Sequence, residues 1–295
     1  MHYPFKQVDV FTKVPYLGNP VAVVLEAEGL AAEQMRQIAA WTNLSETTFV
    51  LPPVSDKADY RLRIFTPSTE LPFAGHPSVG SAHAVLETRN VNSGNGRLVQ
   101  ECGAGLLGIE VLGEGADRQI FVTCPAPSID VLNERILAPL EEALQAELSA
   151  ACSPLIVNVG PKWLIVEFPT SELVQQLMPN ALLIKELSIE LGITGITVFG
   201  FSDRKDIPIY VRSFAPAEGI DEDPVCGSGN ACVAAYLKEH GLLQPVGDCY
   251  VANQGQEVSR NGFVSIKVGS QTGVIQIGGN SVTCIDGLIF AQDSK

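Results

Sequence analysis

The sequence predicts an α+β fold of two pseudo-symmetric lobes, each a mostly antiparallel sheet rolled around one central helix. A glycine-led turn opens an alanine-rich helix at Gly75, and a second such turn opens one at Gly227. Phenylalanine and proline two residues apart precede both turns, at 65–67 and 214–216. Glycine-led helix starts are common singly, but this pairing at an offset of about 150 residues indicates an internal duplication. Each repeat holds one helix for a sheet to enclose.

In the first half, hydrophobic periodicity and turn residues predict the elements in order. A turn at Gly18-Asn19-Pro20 separates the first two strands, and the first helix carries its apolar residues at helical spacing. The predicted helices are 31–41 and 77–86, and the predicted strands are 8–11, 21–25, 47–51, 60–65, 98–102, 108–111 and 119–122.

The second half repeats this order. Its predicted helices are 184–191 and 226–240, and its predicted strands are 155–159, 163–168, 196–201, 209–214, 249–252, 264–268, 274–277 and 288–291. The proline-rich segment 125–128 is the expected joint. The first lobe is therefore expected at 1–125, with the last C-terminal strand as a candidate to join it, and the second at 126–295.

Composition excludes several classes of protein. The 295 residues are 46% hydrophobic, enough for two domains with substantial cores, and the net charge of −14 argues against a nucleic-acid partner. No apolar run approaches the roughly 20 residues that span a bilayer, and the N-terminus lacks signal-peptide regions, so we expect a cytoplasmic protein without a membrane partner. Seven scattered cysteines without C-x-x-C spacing, and histidines without ligand spacing, predict no metal site.

The two helix starts are predicted to bind an anion. The first N–H groups of a helix lack intrahelical partners, and the helix dipole favours negative charge there. Pseudo-symmetric lobes are expected to bring both starts to one cleft, which would hold a small carboxylate substrate.

Two residues of the first lobe are candidates for acid-base chemistry. Glu46 stands where a polar turn enters an apolar strand, so partial burial would raise its carboxyl pKa toward neutrality and suit it to proton transfer. The alternative is a strand residue that points to water. His76, held between Gly75 and Pro77, is placed to hydrogen-bond a substrate carboxylate or carbonyl, although a lone histidine is more often structural.

Two residues of the second lobe are further candidates. Asp223 precedes Pro224 at the entry to the second central helix, where a carboxylate either orients a ligand or caps backbone N–H groups. Cys226 stands at the helix start, where the dipole is expected to lower its thiol pKa and make it reactive. A small buried core residue is the alternative for Cys226.

Four motifs in order resemble the phenazine-biosynthesis PhzF-like family over nearly the whole chain. They are Val8-Asp9-Val10-Phe11-Thr12 with Gly18-Asn19-Pro20, Asn43-Leu44-Ser45-Glu46-Thr47-Thr48-Phe49, Phe73-Ala74-Gly75-His76-Pro77, and Glu222-Asp223-Pro224-Val225 with Cys226-Gly227-Ser228. The resemblance implies the fold of diaminopimelate epimerase and proline racemase, a cofactor-independent isomerase and often a homodimer.

The resemblance also implies roles for individual residues. Glu46 corresponds to the glutamate that moves a proton on a cyclohexadiene carboxylate in the phenazine-pathway member. His76 and Asp223 correspond to substrate-orienting groups. The positions that line the ligand in such proteins are Ser45, Gly75, Gly227 and Ser228.

Cys226 departs from the family pattern, because many members carry threonine there. The segment from Cys226 to Gly229 instead resembles one catalytic-cysteine motif of epimerases and racemases, whose partner position is Ala74. A two-thiol mechanism is therefore excluded. The alternatives to a simple isomerase are a racemase or epimerase with Glu46 and Cys226 as opposed bases, and a non-catalytic protein that binds a small ligand.

Overall fold

A computed structural model describes residues 1–89, 96–149, 151–269 and 271–291. The chain divides into two compact units, Met1–Thr123 with Gly278–Lys295, and Cys124–Ile277. The expected joint at 125–128 lies just after the first boundary. The segment that follows residue 277 returns to the first unit because its strand pairs with the strand at the N-terminus.

The helices are α1 (Ala32–Thr42), α2 (Gly75–Arg89), α3 (Leu137–Leu144), α4 (Ser171–Gln176), α5 (Ala181–Leu191) and α6 (Gly227–Glu239). The strands, in chain order, are β1 (His2–Val10), β2 (Asn19–Val24), β3 (Thr47–Leu51), β4 (Tyr60–Phe65), β5 (Glu70–Leu71), β6 (Arg97–Cys102), β7 (Gly105–Leu112), β8 (Gln119–Thr123), β9 (Ser128–Val131), β10 (Leu155–Asn158), β11 (Lys162–Phe168), β12 (Gly195–Phe201), β13 (Ile209–Ala215), β14 (Ile220–Asp223), β15 (Cys249–Gln254), β16 (Gly262–Val268), β17 (Ile275–Gly279) and β18 (Ser281–Phe290).

The two units repeat one pattern of strand pairing. In the first unit β1 pairs antiparallel with β2, β2 parallel with β3, β3 antiparallel with β4, and β4 parallel with β6. In the second unit β10 and β11, β11 and β12, β12 and β13, and β13 and β15 pair with the same directions in the same order. This repetition is the internal duplication that the paired motifs predict.

One helix forms the centre of each unit. Residues 75–86 of α2 are all buried, and the helix contacts β1, β2, β3, β4 and β8. In α6 the buried residues run from Gly227 to Leu237 with Ser228 as the exception, and the helix contacts β10, β11, β12 and β16. A helix buried on all sides carries apolar or small residues all round. The predicted α+β class with sheet wrapped around a central helix is confirmed.

Glycine lets each central helix approach its sheet closely. A Cβ at Gly80 would lie 2.4 Å from Val21 Cγ1. A Cβ at Gly229 would lie 2.7 Å from the hydroxyl oxygens of both Thr197 and Ser213, which hydrogen-bond each other. Both glycines fall in the paired motifs, so part of each motif serves helix packing.

Most predicted elements are present, and the differences have local causes. The first strand ends at Val10 because Phe11 adopts a left-handed backbone with φ of 66°. Elements without a strong pattern were not predicted, namely β5, β9, α3, α4 and β14. The last strand begins at Ser281, seven residues before the predicted start at 288, since pairing with β1 extends it through a polar segment.

Candidate active site

Glu46 and His76 form a close pair in the first unit. Glu46 directly precedes β3 and His76 is the second residue of α2, so the start of a strand and the start of the central helix bring them together. Glu46 Oε2 lies 3.4 Å from His76 Nε2, and their side chains are 16% and 5% exposed. Glu46 therefore does not extend into water. Neither atom has a hydrogen-bond partner among the described residues.

Asn19 favours one tautomer of His76. Its side chain is buried at the start of β2, and its Nδ2 lies 3.5 Å from His76 Nδ1. An amide nitrogen only donates, so Nδ1 must accept, and the proton of a neutral imidazole then resides on Nε2. Nε2 is the nitrogen that faces Glu46.

Burial keeps His76 neutral. It lowers the pKa of the imidazole, and the Glu46 carboxylate opposes this effect only in part. At neutral pH the ring is therefore an uncharged hydrogen-bond donor through Nε2–H.

The start of α2 supplies the backbone of this half of the site. Gly75 is the first helical residue and is buried, and Ser45 next to Glu46 is partly exposed. Buried Ala74 stands where a second cysteine would be needed for a two-thiol mechanism, and its carbonyl accepts hydrogen bonds from the backbone N–H and hydroxyl of Ser78.

The second unit brings Asp223, Cys226, Gly227 and Ser228 together in the turn between β14 and α6. Asp223 Oδ1 accepts a hydrogen bond of 3.0 Å from the backbone N–H of Val225. Asp223 thus stabilises the turn itself, while Cys226 caps the helix, because its Sγ accepts the Gly229 N–H at 3.2 Å.

Gln254, at the end of β15, holds this turn in place. Its Oε1 accepts hydrogen bonds from the Cys226 N–H at 3.0 Å and from Asn230 Nδ2 at 3.1 Å. Its Nε2 donates to the Asp223 carbonyl at 2.9 Å. The buried amide of Gln254 therefore fixes both ends of the segment between Asp223 and Cys226.

Cys226 is a protonated thiol at neutral pH. Burial raises its pKa well above the usual value, the Asp223 carboxylate adds to this, and hydrogen bonds from Ser228 and Gly229 oppose it only partly. The expectation of a thiol pKa lowered by the helix dipole is wrong, because desolvation of a thiolate that is 2% exposed outweighs the dipole.

Trp163 orients Ser228. Indole Nε1–H of Trp163, on β11, donates to Ser228 Oγ at 3.0 Å, and this oxygen lies 3.6 Å from Cys226 Sγ. With one acceptor site of Oγ used by the indole, the Ser228 hydroxyl keeps its proton to donate, either to Cys226 Sγ or to a ligand.

Three residues around the two clusters had no role assigned from the sequence, namely Asn19, Trp163 and Gln254. Asn19 lies in a quoted motif, where Gly18-Asn19-Pro20 was interpreted as a turn. Trp163 begins the predicted strand 163–168, whereas Gln254 lies two residues after the predicted strand 249–252. An isolated polar group on or beside a buried strand is the only sequence signal for either residue.

Neither a metal cluster nor a membrane-spanning helix is seen in the part of the chain that the structure describes. Among residues 1–89, 96–149, 151–269 and 271–291, no group of three histidine, cysteine, aspartate or glutamate side chains could hold a metal ion. Within the same ranges no helix is long and apolar enough to cross a bilayer.

Comparison with known proteins identifies relatives over nearly the whole chain. The family model of phenazine biosynthesis-like proteins, PhzC-PhzF, matches residues 8–287. Antisense-enhancing sequence 1 of Schizosaccharomyces pombe is 39% identical, with 98% of this chain and 99% of that protein covered. Trans-2,3-dihydro-3-hydroxyanthranilate isomerase of Pseudomonas fluorescens is 34% identical, with coverages of 94% and 95%.

Solved structures show the same fold. The Bacillus anthracis phenazine biosynthesis protein of the PhzF family has a TM-score of 0.84 at 26% identity, with 99% of this chain and 100% of that chain covered. A hydroxyproline epimerase from Agrobacterium vitis has a TM-score of 0.66 at 15% identity, with coverages of 99% and 93%, and is a likeness in fold alone.

Proposed function

Because the chain belongs to the PhzC-PhzF family of phenazine biosynthesis-like proteins and is an isomerase, we propose that it transfers a proton within a small carboxylate, with Glu46 as the acid-base residue. The observation that carries the proposal is the pair of Glu46 Oε2 and His76 Nε2, buried 3.4 Å apart and without hydrogen-bond partners among the described residues.

A buried polar atom without a hydrogen-bond partner lowers the stability of the fold by about 1–3 kcal/mol. Two such atoms side by side therefore indicate a site where a bound ligand supplies the missing hydrogen bonds. Glu46 as a carboxylate accepts a proton, and neutral His76 offers Nε2–H to an oxygen of the substrate. This division of roles needs a proton acceptor beside a neutral hydrogen-bond donor, and burial keeps the donor, His76, neutral.

The reaction is balanced without a cofactor. Glu46 removes a proton from a carbon next to an unsaturated or carbonyl-bearing carbon, and the C–H electron pair enters the conjugated system. Protonated Glu46 then returns the proton at another carbon, so the double bond moves and the formula is unchanged. N–H groups at Gly75 stabilise the charge that develops on the substrate carboxylate, an effect worth a few kcal/mol per donor.

Ser45 is proposed to contact the substrate beside Glu46. Asp223, Gly227 and Ser228 are proposed as substrate-binding groups of the second unit, with the Ser228 hydroxyl oriented by Trp163. That both lobes act on one substrate stays a prediction of the paired motifs.

The name of one relative supports a proposal for the substrate class. The Pseudomonas protein at 34% identity is named for a dihydro-hydroxyanthranilate, a cyclic unsaturated carboxylate. We propose a substrate of this class, with amino and keto carboxylates as the competing choices.

The test is deuterium incorporation from D2O, followed by mass spectrometry, over a panel of cyclic unsaturated, amino and keto carboxylates. Glu46→Gln should abolish exchange, whereas Glu28→Gln, at an exposed carboxylate, should retain it. Equal exchange in wild type and Glu46→Gln would exclude Glu46 as the base.

A second candidate, a racemase or epimerase, is favoured by one observation. The Cys226 thiol holds a proton at neutral pH, which a racemase would return to the substrate carbon, although the burial that raises its pKa also makes the thiol a weak acid. This candidate predicts inversion of a stereocentre that Cys226→Ser abolishes. Full turnover by Cys226→Ser, with migration of a double bond, would exclude it.

A further inference from the structure

A buried arginine next to the 223–226 turn has no role in the proposed reaction. Arg212 lies on β13 of the second unit and is 5% exposed. Its guanidinium donates two parallel hydrogen bonds to the Glu222 carboxylate, from Nε to Oε1 at 2.9 Å and from Nη2 to Oε2 at 2.8 Å. The Glu222 side chain, on β14, is 11% exposed. A bidentate pair of this kind fixes both the distance and the orientation of the carboxylate.

Arg212 also holds the end of α4. Its Nη1 donates to the carbonyl oxygens of Val174 at 3.1 Å and of Leu177 at 2.8 Å. The last carbonyl groups of a helix have no N–H of a following helical turn to accept from, so a cation that donates to them is stabilising. The guanidinium therefore joins β14 to the C-terminal end of α4.

A second carboxylate lies against Arg212. Glu257 Oε2 is 3.8 Å from Arg212 Nε and accepts a hydrogen bond from the Tyr210 hydroxyl at 2.7 Å. Acceptors from β14, from the end of α4 and from the segment 256–258 therefore immobilise the guanidinium.

The strand that carries Glu222 needs a restraint beyond its ladder. Ser213 of β13 is opposite Asp223, and Ala215 is opposite Ile220. Two steps along β13 therefore match three along β14, as in a β-bulge, and the ladder is interrupted between these two pairs. The ion pair with β13 restrains β14 within this interval, at the residue that directly precedes Asp223.

We propose that Arg212 is a positioning residue of the active site. It acts through Glu222 and holds Asp223, with the rest of the 223–226 turn, in the arrangement that binds substrate. Gln254 holds the same turn by hydrogen bonds to its backbone, whereas Arg212 determines where β14 places the Asp223 side chain. In the proposed function, on which this role rests, Asp223 is a substrate-binding group.

Stability alone is a weak reason for this ion pair. Removing two charges from water costs free energy that their attraction regains only in part, so well-packed apolar side chains often stabilise a fold as well or better. A buried pair supplies in addition one specified geometry. In this protein the residue that the pair specifies is the immediate neighbour of Asp223.

Arg212→Met combined with Glu222→Leu separates positioning from stability. The two apolar side chains leave no buried charge unpaired, so the double variant should unfold at a denaturant midpoint close to that of the wild type. Loss of the restraint should nevertheless expose Cys226, which is 2% exposed in the wild type. In the native state its thiol should react with iodoacetamide at least about tenfold faster, as measured by peptide mass spectrometry.

Deuterium exchange tests the role in substrate binding, with the panel carboxylate that the wild type exchanges fastest. The double variant should raise KM at least about tenfold and lower kcat by less. Adding Asp223→Asn should raise KM little further, because both changes act through Asp223. A purely structural role of Arg212 predicts independent effects, which multiply.

Two further variants complete the test. Arg204→Met combined with Asp206→Leu removes an exposed ion pair of the same unit, at 2.8 Å, and should leave both alkylation and KM unchanged. Arg212→Lys keeps the positive charge but replaces the rigid fork by a point charge, so it should show the same two effects to a smaller extent. Because it retains the buried charge pair, it reports on positioning whether or not the double variant folds.

Wild-type protection of Cys226 together with a wild-type KM, in the folded double variant or in Arg212→Lys, would overturn the proposal. Effects on KM that multiply with those of Asp223→Asn, or an equal effect of the Arg204 control, would also overturn it. If the wild type exchanges no carboxylate of the panel, the proposed function fails, and alkylation of Cys226 alone then decides whether Arg212 holds the turn.

Discussion

Replacing Asn19 with aspartate should reverse the tautomer of His76 and raise its pKa. Asn19 Nδ2 donates toward His76 Nδ1 over 3.5 Å, so the wild-type ring carries its proton on Nε2, opposite Glu46. A carboxylate at the same position accepts instead of donating. It therefore favours Nδ1–H in the neutral ring, which leaves a lone pair on Nε2 facing the Glu46 carboxylate.

The magnitude follows from the distance. An opposite charge within about 4–6 Å raises a histidine pKa by about 1–3 units, or about 1.4–4 kcal/mol in favour of the protonated ring. In the wild type, burial lowers the pKa of His76, so its charge appears only at acidic pH. In Asn19→Asp the protonated His76 ring should persist to a pH that is higher by about 1–3 units.

Nitrogen-15 NMR of the imidazole as a function of pH measures both quantities. The neutral His76 ring of the wild type should carry its proton on Nε2. In Asn19→Asp, at a pH above the raised pKa, the neutral ring should carry its proton on Nδ1. Asn19→Leu should remove the preference of His76 for the Nε2–H tautomer. It should also lower the free energy of unfolding by about 1–3 kcal/mol, because it leaves the buried Nδ1 of His76 without a hydrogen-bond partner. Asn133→Asp, at an exposed helix cap, controls for the added charge. A wild-type ring protonated on Nδ1, or an unchanged pKa in Asn19→Asp, would refute the reasoning.

Three further predictions concern Cys226, Glu87 and Gly80. Cys226 should resist alkylation at pH 7 in the native state and react after unfolding, because burial raises its pKa; rapid native alkylation would contradict this. A hydrogen bond from His83 lowers the pKa of Glu87 in the folded protein to about 2. The Glu87 carboxylate therefore contributes fully to the free energy of unfolding above its unfolded pKa near 4.5, and this contribution is lost as the pH falls from there toward 2. After a discount for partial exposure, the contribution of Glu87 is about 1–2 kcal/mol. Acid unfolding should show this loss of stability in the wild type and not in Glu87→Gln. Gly80→Ala should lower the free energy of unfolding by about 1–3 kcal/mol in denaturant titration, because the new methyl group meets Val21 Cγ1, and an unchanged midpoint would contradict that packing.

Local patterns in the sequence determined much of the fold. Periodicity alone predicts β3 and β4 with the bounds that the structure has. The paired glycine turns predict both central helices and their similar surroundings. These features depend on backbone preferences and on the alternation of apolar residues over a few positions, which a single segment carries in full.

The tertiary structure decided what depends on distant segments. Asn19 and His76 are 57 positions apart and Trp163 and Ser228 are 65 apart, so no local pattern gives their distances. The start of β18 was missed because its polar residues form a strand only against β1, at the other end of the chain. The direction of the Cys226 pKa was mispredicted from the helix dipole, which is visible in sequence. Desolvation raises the pKa of Cys226 by more than the helix dipole lowers it. The extent of desolvation is determined only when the folded chain surrounds the thiol.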